Sequence, residues 1–89
     1  MKSTTNRGPT EHKENVQFGK DGTEIYTGTM MQDEKEQWIQ QGQGKQIYPE
    51  GHEFKSYEGN WDLGKFNGEG ELLYSNGQTY VGEFSDGIP

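Results

Sequence analysis

The chain has 89 residues, of which 26% are apolar, and a formal net charge of −7. Leu, Ile, Val and Phe together supply only 13 residues, a composition at which a charged chain usually fails to build an ordinary globular core. Within these residues there is no room for a second domain, no apolar run of about 18 residues to cross a membrane as a helix, and no Cys for disulfides, thiolate zinc sites or a thiol nucleophile.

Two counts run against disorder. Aromatic residues make up 12% of the chain, and 14 residues are Gly. Disordered chains are poor in aromatics, so this pairing points to a particular backbone geometry.

Residues 1–17 (MKSTTNRGPTEHKENVQ) read as an extended or disordered arm, with one apolar residue after Met1 among Ser, Thr, Asn, Gly and Pro. Residues 1–24 are charge-neutral. The whole imbalance falls on residues 25–89, where four Lys face eleven Asp or Glu. After a weak echo in Phe18, Gly22 and Tyr26, the stretch Tyr26-Thr27-Gly28-Thr29-Met30 alternates large and small side chains along one strand face. Gln32–Gln41 (QDEKEQWIQQ) holds helix-forming residues, acids toward its start and no Gly or Pro. It reads either as a solvated hairpin loop or as a helical turn that presents Trp38 and Ile39 to a protein partner. Gly42, Gly44, Tyr48 and Gly51 follow with the spacing of a return strand and turn.

Tyr57, Gly59 and Trp61 repeat the alternation. Asp62–Asn67, which includes Gly64, holds turn residues. Gly68, Gly70, Leu72 and Tyr74 form a return strand, and Ser75-Asn76-Gly77 turns the chain again. Tyr80, Gly82, Phe84 and Gly87 then restate Tyr57, Gly59, Trp61 and Gly64 after 23 residues. The earlier copy, from Tyr26 to Tyr57, spans 31 residues, and its surplus lies where loops are expected. Such a period signals stacked supersecondary units, here β-hairpins. Gly at a repeated strand position suggests a neighbouring ring lying flat on the backbone.

The unit Tyr57–Gly77 resembles a MORN repeat, whose pattern is Tyr-x-Gly-x-aromatic-x-x-Gly-x-x-x-Gly-x-Gly-x-x-x-aromatic-x-x-Gly. The match is strict over residues 57–87. Over 26–51 it is degenerate, because Met30 replaces the aromatic, the hairpin loop is enlarged and no single Gly marks it. The resemblance implies an all-β ribbon of successive antiparallel hairpins over residues 18–89, about two and a half repeats, behind an extended N-terminal arm at 1–17. Its implied core is Tyr26, Gly28, Gly42, Gly44, Tyr48, Gly51, Tyr57, Gly59, Trp61, Gly64, Gly68, Gly70, Tyr74, Gly77, Tyr80, Gly82, Phe84 and Gly87. Arrays of so few units are usually unstable, so the ribbon is expected to be marginal alone and held by its partners.

No arrangement reads as catalytic, and the expectation is a non-enzyme without metal or cofactor. His12 and His52 lack a second ligand at zinc spacing. Asp21, Glu34 and Asp62 do not form a calcium loop, and Gly42-x-Gly44 and Gly68-x-Gly70 lack the helix and Lys of a phosphate loop. Glu69 and Glu71 share a strand face, but an open ribbon gives them no enclosed substrate groove. Nucleic acid is disfavoured by the negative charge and the lack of a basic stripe.

Protein partners are the expectation that stays. The strand Tyr80–Phe84 has no return strand within the sequence, so docking is expected through the ribbon edge and exposed aromatics, and Tyr80, Val81 and Phe84 join Trp38 and Ile39 as protein-binding candidates. The resemblance implies a scaffolding subunit of a larger intracellular assembly, cytoskeletal at a cilium or flagellum, or an organellar complex. It also implies an alternative, a membrane- or phosphoinositide-associated module. Against that alternative, Lys35, Lys45, Lys55 and Lys65 are spaced apart and outnumbered by acids, leaving only Lys45 and Lys65 to line one edge.

Overall fold

Alternating large and small side chains, interrupted by Gly, Asn and Asp, leave one way to bury apolar surface: strands laid side by side with their large side chains on a common face. The computed structural model describes residues 9–89 and contains six strands. They are β1 (Thr10–Phe18), β2 (Glu24–Gln32), β3 (Trp38–Ile47), β4 (Phe54–Asp62), β5 (Lys65–Tyr74) and β6 (Thr79–Phe84). Each pairs antiparallel with the next, in sequence order, to make one open sheet. There is no helix among the described residues. The all-β ribbon of hairpins is therefore the fold.

Tyr26, Met30, Tyr57, Trp61, Phe66, Leu72 and Phe84 form a single buried cluster, with Phe18, Phe54, Tyr74 and Tyr80 packed at its margins. Ring-on-ring contact replaces the missing aliphatic residues. Tyr57 stacks on Phe66 at 3.9 Å between centroids, and Trp61 meets Tyr26 and Tyr57 edge-on at 5.3 and 5.1 Å.

Three sequence expectations need correction. Residues 10–17, expected to stand outside the ribbon, run as β1, paired with β2 from Thr10↔Met31 to Phe18↔Glu24. A bulge between Lys13 and Val16, with Asn15 at φ 56°, breaks the alternation that would have marked the strand. The remainder of the expected arm, residues 1–8, lies outside the described residues.

Gln32–Gln41 is neither a helical turn nor a long loop. The Asp33 carboxylate accepts hydrogen bonds from the N–H groups of Lys35 (2.8 Å) and Gln37 (2.9 Å), offering the backbone an alternative to helix. Glu36 takes a positive φ of 65°, and Asp33 N–H donates to the Gln37 carbonyl to close a three-residue hairpin loop. Trp38 and Ile39 then open β3.

The turn expected over Asp62–Asn67 contracts to two residues. Leu63 and Gly64, at φ 51° and 84°, form the tight connection whose twist suits paired strands. The contraction brings Phe66 into β5 opposite Trp61 and into the core.

Candidate functional site

The repeat motif acts through a row of glycines that crosses the sheet. Gly28 lies opposite Gly44, Gly44 opposite Gly59, Gly59 opposite Gly70, and Gly70 opposite Gly82. Tyr26 lays its phenol across the row onto the next strand, where a Cβ added to Gly44 would overlap the Tyr26 Oη and ring. Tyr57 does the same over Gly70. Any larger residue at Gly44 or Gly70 would displace the ring, which is the physical reason the spacing is fixed. Each phenol is anchored on its own strand, Tyr26 Oη donating to the Thr29 carbonyl and Tyr57 Oη to the Asn60 carbonyl, both at 2.8 Å.

Each ring is also clamped from the following repeat. Tyr26 meets Trp61, and Tyr57 meets Phe84, both edge-on. Trp61 Nε1–H reaches back to donate to the Gly44 carbonyl at 3.1 Å. Burial pushes the Tyr57 hydroxyl up to about 12 and raises that of Tyr26 further. Tyr48 is raised as well, by burial first, then by the charge of Glu24 and by Tyr57.

Tyr80 on β6 holds the same pose without the same neighbours. Its Oη donates to the Glu83 carbonyl at 3.0 Å. A Cβ built on Gly82 would lie 2.8 Å from it, as would one on Gly28 from Tyr26 Oη and one on Gly59 from Tyr57 Oη. Phe84 clamps it from its own strand at 5.1 Å. Among the described residues, however, no strand supplies the next glycine and no ring supplies the next clamp. The turn that follows is already formed. Asp86 and Gly87, at φ 52° and 83°, mirror Leu63 and Gly64, and Gly87 N–H donates to the Phe66 carbonyl as Gly64 N–H donates to that of Gln40.

The opposite edge is guarded. Strand β1 carries its bulge together with Glu11, His12, Lys13 and Glu14, and Lys13 stands in the glycine row opposite Gly28. Lys13 Nζ lies 3.3 Å from Glu11 and 4.1 Å from the Trp38 ring centroid. Charges and bulges of this kind discourage a further strand. β6 pairs without a bulge, and its Val81 is 71% exposed.

The remaining predicted residues separate into three groups. Gly51, Gly77 and Gly87 occupy turns with open space around them, whereas Gly42 and Gly68 take positive φ in β3 and β5, beside the irregularities that face Met30 and Trp61. Of the binding candidates, Phe84 is buried in the core, Trp38 and Ile39 are half-buried on β3, and Tyr80 and Val81 lie on the β6 edge strand. Among the described residues, the strongly exposed apolar side chains are Ile47, Leu63, Val81 and Ile88, all aliphatic, so the expected docking through exposed aromatics has no ring to use there. Lys45 and Lys65 share no edge. Lys45 sits in β3 between Thr27 and Glu58, and Lys65 in β5 opposite Asp62.

Sequence reasoning passed over Phe66, Phe54 and the pair Gln40 and Gln46. Stepping back by twos from Leu72 through Gly70 and Gly68 reaches Phe66, so its signal was present. Gln40 faces Met30 as Phe66 faces Trp61, and Gln46 faces Tyr26 as Leu72 faces Tyr57. The two amides survive burial because Gln40 Nε2 donates to Gln46 Oε1 at 2.6 Å and Gln46 Nε2 to Glu24 Oε1 at 2.9 Å. On the sheet's other face, Glu58 lies opposite Glu71 and Glu69 opposite Glu83, leaving the β5–β6 end strongly acidic.

A family model of the MORN repeat matches residues 39–53, 57–79 and 80–89, just over half of the chain. No solved structure is a significant match. MORN repeats generally serve as non-enzymatic modules that contact proteins or membranes. The glycine row, the phenols laid across it and the family match together place this chain in the MORN-repeat family.

Proposed function

We propose that the chain is a non-catalytic structural subunit that docks on other proteins of a larger intracellular assembly, with the outer edge of β6 as its docking strand. The observation that carries this reading is the contrast between the two sheet edges. β1 is bulged and charged, whereas β6 is regular, ends in a formed turn and exposes Val81. A regular edge offers N–H and C=O groups that another chain can pair with. A cytoskeletal setting, at a cilium or flagellum, or an organellar complex belongs to the same proposal and rests on family association.

Contact with anionic lipid ranks second. Lipid head groups favour clustered Lys and Arg, and here Lys45 stands beside Glu58 and Lys65 opposite Asp62.

Gentle native purification followed by mass spectrometry tests the proposal. The chain is expected in a stoichiometric complex with other subunits, and Val81→Lys is expected to release it. Recovery of the unaltered chain as a lone monomer would contradict the reading. Salt-sensitive sedimentation with anionic liposomes, in place of a protein complex, would favour the second.

A further inference from the structure

We propose that the β6 edge selects its partner strand: an extended segment of another polypeptide with Gly opposite Gly82 and basic residues on either side of that Gly. This rests on the edge-docking reading above and specifies the chemistry of what docks.

The Gly requirement follows from three tyrosines in one pose. Tyr26 and Tyr57 each project onto the next strand, where a Cβ at the glycine-row position would fall inside the phenol. Tyr80 keeps the same hydrogen bond to its own strand and the same 2.8 Å approach to its own glycine. Its Oη therefore already overhangs the place where an incoming strand would set the residue opposite Gly82. Gly at that place slides under the ring. A side chain there has to expel Tyr80 from a pose held by Phe84 and the Glu83 carbonyl. The residue opposite Tyr80 should be apolar, as Leu72 is opposite Tyr57.

The basic requirement follows from the opposite face. Residues flanking the incoming Gly stand beside Val81 and Glu83, next to the exposed side chains of Glu69 and Glu71. Glu69 and Glu83 already form a like-charged cross-strand pair, which a cation on the next strand would relieve.

A second copy of this chain fits poorly. Its β1 edge would bring Lys13, at the glycine-row position, against Tyr80. Its β6 edge, paired on Gly82, would crowd a second Tyr80 over the same two glycines and double the acidic charge.

Synthetic peptides titrated into the isotope-labelled full chain give the test by nuclear magnetic resonance. The probe is Lys-Gly-Lys-Gly-Lys-Leu-Thr, which follows the 67–73 pattern with Lys on the acidic face and starts beyond the place where Ile88 already pairs with Ser85. Its variants replace the second Gly by Ala, or every Lys by Glu. The Gly peptide is expected to bind at least tenfold more tightly than the Ala peptide, with shifts concentrated in Thr79–Phe84, and the Glu peptide is expected not to bind. In Tyr80→Ala, checked for folding by circular dichroism, the preference for Gly over Ala is expected to vanish while binding persists. Equal binding of the Gly and Ala peptides to the unaltered chain would overturn the proposal, as would a concentration-dependent dimer seated on β6. If no peptide binds while Val81→Lys still releases the native complex, the strand chemistry is wrong and edge docking survives. If Val81→Lys leaves the native complex intact, both fall.

Discussion

Tyr57 and Tyr80 occupy the same position of consecutive repeats, and they meet different surroundings. Tyr57 lies over Gly70, stacks on Phe66 and is clamped by Trp61 and Phe84, with no exposed surface. Tyr80 has its own Gly82 beneath it and Phe84 beside it, and is only partly buried. A repeat residue thus acquires its stabilising role from the next strand. Inside the ribbon the motif is a core. At the β6 edge the same motif is half a core, shaped to receive the other half.

The largest expected contrast is in truncation of the two rings. Tyr57→Ala should cost about 3–5 kcal/mol, as removal of a buried aromatic usually does, and leave the ribbon largely unfolded. Tyr80→Ala should cost roughly 1 kcal/mol or less, because its ring lacks the contacts of the following repeat. Urea unfolding midpoints of the two variants measure this directly. Similar losses would erase the distinction.

Adding a methyl group probes the same sites from below. Gly70→Ala pushes into the Tyr57 ring, which is packed on every side and cannot yield, so a cost of about 1–3 kcal/mol or more is expected. Gly82→Ala meets Tyr80 Oη at 2.8 Å, a contact that a small shift relieves without driving the phenol from its pose, and the expected cost is below about 1 kcal/mol. Thermal melts of the pair decide the order.

Alkaline pH loads the buried tyrosines more gently. Ordinary phenols ionise near 10, and in the folded chain Tyr57 is pushed up to about 12 by burial, with Tyr26 and Tyr48 also raised. A raised folded-state value means that the stability linked to the neutral phenol is complete below about 10 and is lost as pH rises through about 12. Unfolding is therefore expected to begin above about 10, with phenolate absorbance of the buried rings appearing together with loss of circular dichroism. Ionisation of Tyr26, Tyr48 and Tyr57 near 10 with the fold intact would contradict it.

The smallest effect is expected at the exposed edge itself. Val81→Lys should leave unfolding free energy within about 0.5 kcal/mol of the parent, since the side chain is mostly solvated. A larger loss would mean that β6 contributes to the core through Val81.

Much of the fold was legible because the repeat is written in residues that strand geometry requires. Tyr, Gly and aromatic at every second position announce one buried face, and Ser75-Asn76-Gly77 announces a turn. Strand β1 was hidden because a two-faced periodicity cannot be read through a bulge, and because its partner β2 supplies most of the apolar surface. The loop after Gln32 misled because helix-forming residues say little where an Asp side chain caps the backbone into a turn. Phe66 was displaced by assuming a six-residue turn where Leu63 and Gly64 suffice. The edge site was half legible: the sequence places Tyr80, Gly82 and Phe84 on one strand, while the overhang of Tyr80 depends on where its hydroxyl finds the Glu83 carbonyl.

Each interior tyrosine works through the glycine of the strand that follows. A pair of double-mutant cycles on unfolding free energy tests it: Tyr57→Ala with Gly70→Ala, and Tyr80→Ala with Gly82→Ala. A coupling of about 1 kcal/mol or more is expected in the first cycle, because methyl and ring compete for one space, and less than about 0.5 kcal/mol in the second. Equal couplings in the two cycles would contradict it.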